Sequence, residues 1–140
     1  PDKSITRIID DLVRPNGIAL SPDGKVLYII DNGAGTLHRY PVQSPGKIGK
    51  GERIAYIPGG DGMTVDEKGR LYLTGMGGVW VVDGNGKWIG LIETPEKPAN
   101  CTFGGKGYRT LFVTAVTSLY AVETKTRGWH VHLDGVPGGK

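Results

Sequence analysis

Apolar and β-branched residues along this chain occur in short runs, and glycine or proline separates each run from the next. Runs such as KVLYIID, RLYLTG and TLFVTA combine Val, Ile and Leu with aromatic residues, a composition typical of β-strands. No window maintains the i, i+3, i+4, i+7 spacing of apolar residues that an amphipathic helix requires. The pattern therefore predicts an all-β protein built from short strands and tight turns.

Three stretches of the sequence are variants of one pattern, namely RPNGIALSPDGKVLYIID (14–31), PGGDGMTVDEKGRLYLTG (58–75) and PANCTFGGKGYRTLFVTA (98–115). Their alignment places Leu27, Leu71 and Leu111 at equivalent positions, with spacings of 44 residues (71 minus 27) and 40 residues (111 minus 71). A repeat of about 40–50 residues that contains only short strands is typical of β-propeller blades. The predicted fold class is therefore an all-β propeller.

Each repeat divides into four predicted strands. They span 17–21, 25–30, 36–42 and 53–57 in the first repeat, 62–65, 70–74, 78–82 and 88–92 in the second, and 101–103, 110–114, 118–122 and 129–133 in the third. The segments SPDGK, DEKGR and GKGYR are predicted turns, since Asp and Gly tolerate the backbone that tight turns require. The blades would then span 14–57, 58–97 and 98–140, and residues 1–13 would carry the outer strand of a preceding blade, at 5–12.

The predicted strands do not make a closed ring of propeller blades. Three blades and one extra strand cannot form a closed propeller, because natural propellers have at least four blades. We therefore expect either a part of a larger propeller or a half that a partner completes.

Composition excludes several classes of protein. The net charge is +3, and the Lys and Arg residues are scattered, whereas nucleic-acid binding requires a clustered basic patch. The single cysteine, Cys101, excludes an internal disulfide and a Cys-rich zinc site, and we expect it to be a small buried apolar residue. No apolar stretch approaches the length of a membrane span.

Polar side chains precede the first strand of each repeat. Asn16, Asp61 and Asn100 each lie in the crossing from one blade to the next, and such crossings gather at one mouth of a propeller channel. Amide and carboxylate oxygens are the ligands that Ca²⁺ and Mg²⁺ prefer. Asn-Gly and Asp-Gly are also common turn dipeptides, however, so a purely structural role is the alternative interpretation.

The ordered motifs Pro-Asn-Gly, Asp-Gly-Met and Phe-Gly-Gly, within about residues 5–124, resemble the C-terminal half of the gluconolactonase, senescence-marker-protein and luciferin-regenerating enzyme family. The resemblance implies one half of a six-bladed propeller that hydrolyses sugar lactones with one divalent cation in its channel. Calcium is the expected cation, with magnesium or zinc as alternatives. The resemblance also implies that the missing N-terminal half, or a second copy, closes the propeller.

Carried over to this sequence, the resemblance makes Asn16 and Asp61 metal ligands and Asp61 the general base. A Glu from the family's first blade and a further metal-binding Asn have no counterpart in this chain. Asn100 and Met76, the latter in the segment GMGG, are candidates for contact with substrate at the channel mouth. The alternative functions are a non-catalytic binding propeller of the NHL kind and an inactive fragment of the hydrolase.

Overall fold

The computed structural model describes residues 3–130, which form three antiparallel sheets and a short 3₁₀ turn at Lys106–Tyr108. The strands are β1 (Pro15–Leu20), β2 (Val26–Asp31), β3 (Thr36–Ser44), β4 (Lys47–Ile48), β5 (Glu52–Tyr56), β6 (Met63–Val65), β7 (Leu71–Gly75), β8 (Gly78–Val82), β9 (Trp88–Glu93), β10 (Pro98–Gly104), β11 (Thr110–Ala115) and β12 (Leu119–Glu123). The predicted all-β class is confirmed. No helix in this part of the chain is long and apolar enough to cross a membrane.

Each sheet follows the chain from one edge to the other. The first sheet has the order β1-β2-β3-β5, and the short strand β4 pairs with another part of β3. The second sheet has the order β6-β7-β8-β9, and the third has the order β10-β11-β12. These antiparallel sheets are consistent with a partial β-propeller in which β1, β6 and β10 are the first strands of successive sheets.

The predicted turn between β1 and β2 forms as the sequence indicates. Gly24 has a φ of 70°, which glycine adopts without strain, and its N–H donates to the Ser21 carbonyl at 2.8 Å. The Asp23 carboxylate accepts the Ser21 hydroxyl at 2.6 Å and the Lys25 N–H at 3.1 Å. These bonds to charged Asp23 favour its ionised form and lower the pKa of the carboxyl.

Two apolar clusters join the three sheets. The cluster between the first and second sheets contains Tyr28, Ile30, Leu37, Ile57, Met63, Val65, Leu71, Leu73 and Val82. The cluster between the second and third sheets contains Tyr72, Val79, Val81, Cys101, Phe103, Leu111 and Val113. All five residues of β7 are buried because this strand contributes alternate side chains to both clusters.

The predicted strand over residues 5–12 is wrong, since no strand lies between residues 3 and 12. Ile5 is fully exposed. A strand forms only where a neighbouring strand accepts its backbone hydrogen bonds, and none of the three sheets formed by residues 3–130 pairs with this segment.

The predicted outer strand of the third repeat, 129–133, is wrong for its first two residues, which form no strand beside β12. Gly128 forms an isolated antiparallel bridge with Asp66, and the Trp129 N–H donates to the Val65 carbonyl at 3.1 Å. This segment therefore lies beside the end of β6 rather than outside β12. The Thr126 hydroxyl, which donates to Asp66 Oδ2 at 3.2 Å, helps to hold it there. The rest of the predicted strand, 131–133, lies outside the described residues.

Candidate active site at the ends of the inner strands

The structure brings the three predicted positions together, but only Asp61 lies in a crossing, since Asn16 belongs to β1 and Asn100 to β10. Gly17 lies so close to the Asp61 carbonyl oxygen that a Cβ at Gly17 would clash with it. Gly62 lies in the same way against the side chain of Asn100. Asn16, Asp61 and Asn100 therefore follow one another at the same end of three adjacent strands, β1, β6 and β10.

Asp61 differs from the aspartates that stabilise turns. Asp31, Asp66 and Asp83 all accept backbone N–H groups, as expected for structural carboxylates. The half-buried side chain of Asp61 has no hydrogen bond or ion pair with any residue between 3 and 130. Its oxygens are therefore available to a ligand.

The backbone around Asp61 is held firmly although its side chain is not. The Asp61 N–H donates to the Thr74 carbonyl at 3.0 Å, which continues the pairing of β6 with β7. The preceding carbonyl, that of Gly60, accepts the side-chain amide of Asn32 at 2.5 Å. The backbone that carries the Asp61 side chain is thus fixed from the first and the second sheets.

A buried carboxylate fixes the segment that leads to Asn16. Asp31 accepts four backbone N–H groups at 2.8–3.2 Å, from Val13, Arg14, Gly33 and Ala34. Burial by itself would raise the pKa of Asp31, but these four donors outweigh it and the pKa lies below its usual value. The Arg14 side chain also donates to Asn32 Oδ1, which links this segment to the loop before Asp61.

Asn100 lies exposed beside Gly62. Its Oδ1 accepts the N–H of Cys101 at 2.9 Å, which leaves the NH₂ group and one lone pair of the amide for a ligand. The preceding carbonyl, that of Ala99, accepts the Gly62 N–H at 2.9 Å. This bond connects the loop before β6 to β10.

Met76 lies in the turn between β7 and β8 and its side chain is mostly exposed. Its N–H donates to the Pro58 carbonyl at 2.8 Å, and the Trp80 indole N–H donates to the Met76 carbonyl at 2.9 Å. Pro58 belongs to the loop that leads to Asp61. Met76 is therefore on the same end of the second sheet as Asp61.

The side chains at this end match a hard divalent cation in their chemistry. Asn16 and Asp61 offer an amide oxygen and a carboxylate, and Asn100 offers a further amide. Residues 3–130 contain no group of three or more His, Cys, Asp and Glu side chains that could hold a metal ion. The side chains present therefore offer a cation one carboxylate and amide oxygens. These are fewer than the six to eight oxygen ligands that calcium takes.

Comparison with known proteins decides the family. Residues 1–117 match the family described as the SMP-30/Gluconolactonase/LRE-like region. The chain belongs to the SMP-30/gluconolactonase/LRE-like family. The resemblance inferred from the three motifs is confirmed.

Individual relatives of this family are similar over most of the chain. The gluconolactonase of Zymomonas mobilis is 36% identical over 91% of this chain and 40% of its own length. The solved gluconolactonase of Xanthomonas campestris is 33% identical, with a TM-score of 0.76 over 84% of this chain and 39% of that chain. A calcium-binding protein from Agrobacterium tumefaciens, regucalcin, is 25% identical, with a TM-score of 0.80 over 89% and 50% of the respective chains. The chain thus spans about two fifths to one half of the length of these relatives.

Cys101 is buried, unlike the partly exposed cysteines that act as nucleophiles. Its side chain is buried in the cluster between the second and third sheets, and its Sγ lies 3.4 Å from the Tyr72 carbonyl. Burial raises the pKa of the thiol to about 12. The thiolate is therefore scarce at neutral pH, and the expected apolar role of Cys101 agrees with its burial.

Asp31, Asn32 and Thr74 hold the backbone of the candidate site and were not predicted from the sequence. Asp31 ends β2 and Asn32 follows it, and both resemble ordinary turn residues in the sequence. Thr74 could have been noticed in the sequence, because the alignment of the repeats places this polar residue at the position where the first repeat has the apolar Ile30.

Proposed function

We propose that the protein hydrolyses a sugar lactone at the end of its sheets where Asn16, Asp61 and Asn100 lie. Membership of the gluconolactonase family supports the reaction class, and relatives from Zymomonas mobilis and Xanthomonas campestris carry that name. The observation that carries the proposal is the half-buried carboxylate of Asp61, which has no partner among residues 3–130 and stands between two exposed amides.

In the proposed reaction Asp61 is the general base. Its carboxylate accepts a proton from a water molecule while the water oxygen attacks the carbonyl carbon of the lactone. The bond from that carbon to the ring oxygen then breaks, and the ring oxygen takes up the proton, which gives the open hydroxy acid. The exposed amide of Asn100 binds substrate hydroxyls, and Met76 contacts the apolar face of the sugar.

A divalent cation completes this proposal, and Asn16 and Asp61 are the residues that would hold it. When bound, such a cation polarises the lactone carbonyl and stabilises the negative charge that develops on its oxygen. Calcium is the preferred ion because the ligands offered are oxygens and because the relative from Agrobacterium tumefaciens is described as calcium-binding.

The proposed active form is a closed six-bladed propeller, and the outer faces of the end sheets support this. On the first sheet, Ile18 and Leu27 lie on the face opposite to the apolar cluster, where they line a cavity together with Ile8, Ile9 and Leu12 of the N-terminal segment, and Ile18 is exposed. On the third sheet, Phe112 and Leu119 line a cavity of about 210 Å³ that opens to solvent. Both faces have the apolar character of the internal sheet contacts, so we propose that further blades cover them.

Substitution of the two proposed ligands tests the function. Asp61→Asn should abolish calcium binding in titration calorimetry and lower the rate of gluconolactone hydrolysis by about 10²–10⁴-fold, the usual contribution of a general base. Asn16→Ala should weaken calcium binding as well. The control is Asp83→Asn, which alters a turn carboxylate after β8, at the opposite end of the second sheet, and should leave calcium affinity unchanged.

A non-catalytic propeller of the NHL kind would give a different result. In that case the unaltered protein binds no calcium and hydrolyses no lactone. Substitution of Asn16 and Asp61 would then change only stability, by about 1 kcal/mol each, as for ordinary turn residues.

A further inference from the structure

The second strand of each sheet has an equivalent position close to the candidate site. Alignment of the repeats places Ile30, Thr74 and Thr114 at this position. Ile30 is completely buried, and its side chain packs against Gly17 and Gly60, next to Asn16 and Asp61. An apolar side chain therefore satisfies the packing requirement where the first sheet meets the second.

The second sheet has a hydroxyl group at this position instead. Thr74 is completely buried, and its Oγ1 accepts the Gly62 N–H at 2.9 Å. The same hydroxyl lies 3.1 Å from the Gly62 carbonyl and 3.0 Å from the Ala99 carbonyl. It thus contacts the residue after Asp61 and the residue before Asn100.

These contacts are additional to the backbone pairing. The Gly62 N–H also donates to the Ala99 carbonyl, and the Gly62 carbonyl accepts the Thr74 N–H, both at 2.9 Å. No backbone group would be left without a partner if the hydroxyl were removed. The hydroxyl therefore adds a directional restraint between β6 and β10, and replacing it with a methyl group should not prevent folding.

A second threonine hydroxyl, from the third sheet, restrains the backbone at Asn100 itself. The Thr114 hydroxyl donates to the Asn100 carbonyl at 3.3 Å. The short segment Ala99-Asn100 is consequently held by a threonine of the second sheet and by a threonine of the third. The first sheet has no such hydroxyl at the equivalent position, because that residue is Ile30.

We propose that Thr74 is a positioning residue that keeps the Asp61 carboxylate and the Asn100 amide at a fixed separation across the contact between the second and third sheets. This inference rests on the proposed function, in which Asp61 holds the cation and Asn100 binds the substrate. Calcium affinity reports on the Asp61 side of this pair, because Thr74 contacts Gly62, the residue after Asp61. Thr74 touches neither the ligand nor the reacting atoms and acts only through Gly62 and Ala99. Residues that orient a ligand set in this way commonly alter metal affinity by about 10–100-fold when substituted.

The test compares three variants of the purified protein. Thr74→Val keeps the branched shape and removes the hydroxyl, Thr74→Ser keeps the hydroxyl, and Thr126→Val removes another buried threonine hydroxyl at the opposite end of β6. Calcium affinity is measured by titration calorimetry, and amide hydrogen exchange is measured at Gly62 and Asn100.

We expect Thr74→Val to weaken calcium binding by about 10–100-fold and Thr74→Ser to retain affinity within a few-fold of the unaltered protein. Thr126→Val should lower thermal stability without a change in affinity. Unchanged affinity in Thr74→Val, or an equal loss in Thr126→Val, would overturn the proposal.

Hydrogen exchange separates this proposal from the proposed function. If the unaltered protein binds no divalent cation, the proposed function fails, and exchange still tests the coupling. Faster exchange at both Gly62 and Asn100 in Thr74→Val, but not in Thr126→Val, would support the restraint. Unchanged exchange at both amides would overturn it.

Discussion

Gly62 lies directly against Asn100, so that a side chain at Gly62 would begin 2.8 Å from the Asn100 Cα and closer still to its amide group. The φ angle of Gly62 is not in the left-handed region, so glycine is required here by space alone. Close contact between β6 and β10 is therefore a condition for bringing Asp61 and Asn100 together.

Gly62→Ala should separate these two strands. We expect the substitution to lower the free energy of unfolding by about 1–3 kcal/mol, as in other overpacked sites, and to weaken calcium binding. Gly90→Ala is the matched control, because nothing lies within 4 Å of a Cβ added at Gly90. Thermal unfolding and calcium titration of both variants measure the difference. Equal stability of the two variants would show that the strands can move apart at little cost.

Local patterns predicted most strands of this fold well. The strand expected at 70–74 is observed as Leu71–Gly75, and the strand expected at 78–82 is observed as Gly78–Val82. Both lie in the second sheet, between the two apolar clusters, where apolar runs and turn glycines agree with the tertiary contacts. The strand expected at 5–12 does not form, because its apolar residues indicate strand propensity but not a pairing edge.

The positions of the candidate site residues were predictable from the sequence, but the contacts that hold their backbone were not. The register of the repeats indicated that Asn16, Asp61 and Asn100 would lie at one end of adjacent strands, and their roles as ligands stay predictions. The restraint by Thr74 depends on a contact with Ala99, 25 residues away, which no local pattern specifies. The short strand β4 also could not be anticipated, since Lys47–Ile48 carries no strand signal.

Cys101 should resist alkylation in the folded protein. Its side chain is buried, and burial raises the pKa of the thiol to about 12, so that both access and the thiolate fraction are low at pH 8. We expect iodoacetamide to label Cys101 only in step with unfolding, and to label it rapidly in guanidinium chloride. Mass spectrometry of timed samples measures both rates. Rapid labelling of the native protein would mean that the contact between the second and third sheets opens readily.

Two lysine substitutions test whether further blades cover the third sheet. Leu119 and Ile89 are both exposed among residues 3–130, at 67% and 49%, so this part of the chain alone predicts little cost for either substitution. Leu119 lies on the free face of the third sheet, whereas Ile89 lies on β9, the last strand of the second. If that face is covered, Leu119→Lys should lower stability by about 1–3 kcal/mol more than Ile89→Lys. Thermal unfolding measures the difference, and equal effects would argue against the closed ring.

Asp31 should make stability depend on pH in the acid range. Four backbone donors lower the pKa of its carboxyl in the folded protein below the ordinary value of 3.8. The carboxylate therefore contributes stability at all pH values well above 3.8, and the contribution is lost as the pH falls through the lower pKa of the folded state. Asp31→Asn replaces an acceptor oxygen by an NH₂ group and leaves at least one of the four N–H groups without its partner.

At pH 7 we expect Asp31→Asn to lower the free energy of unfolding by about 1–3 kcal/mol, the cost of unpaired buried polar groups. The difference from the unaltered protein should shrink below pH 3.8, because the native carboxyl then becomes protonated and loses the same bonds. Urea unfolding at several pH values between 2 and 7 measures this convergence. Because Asp31 also fixes the segment before Asn16, calcium affinity should fall in the same variant at pH 7. A constant difference across the pH range would mean that the four N–H groups are bound equally well by the neutral side chain.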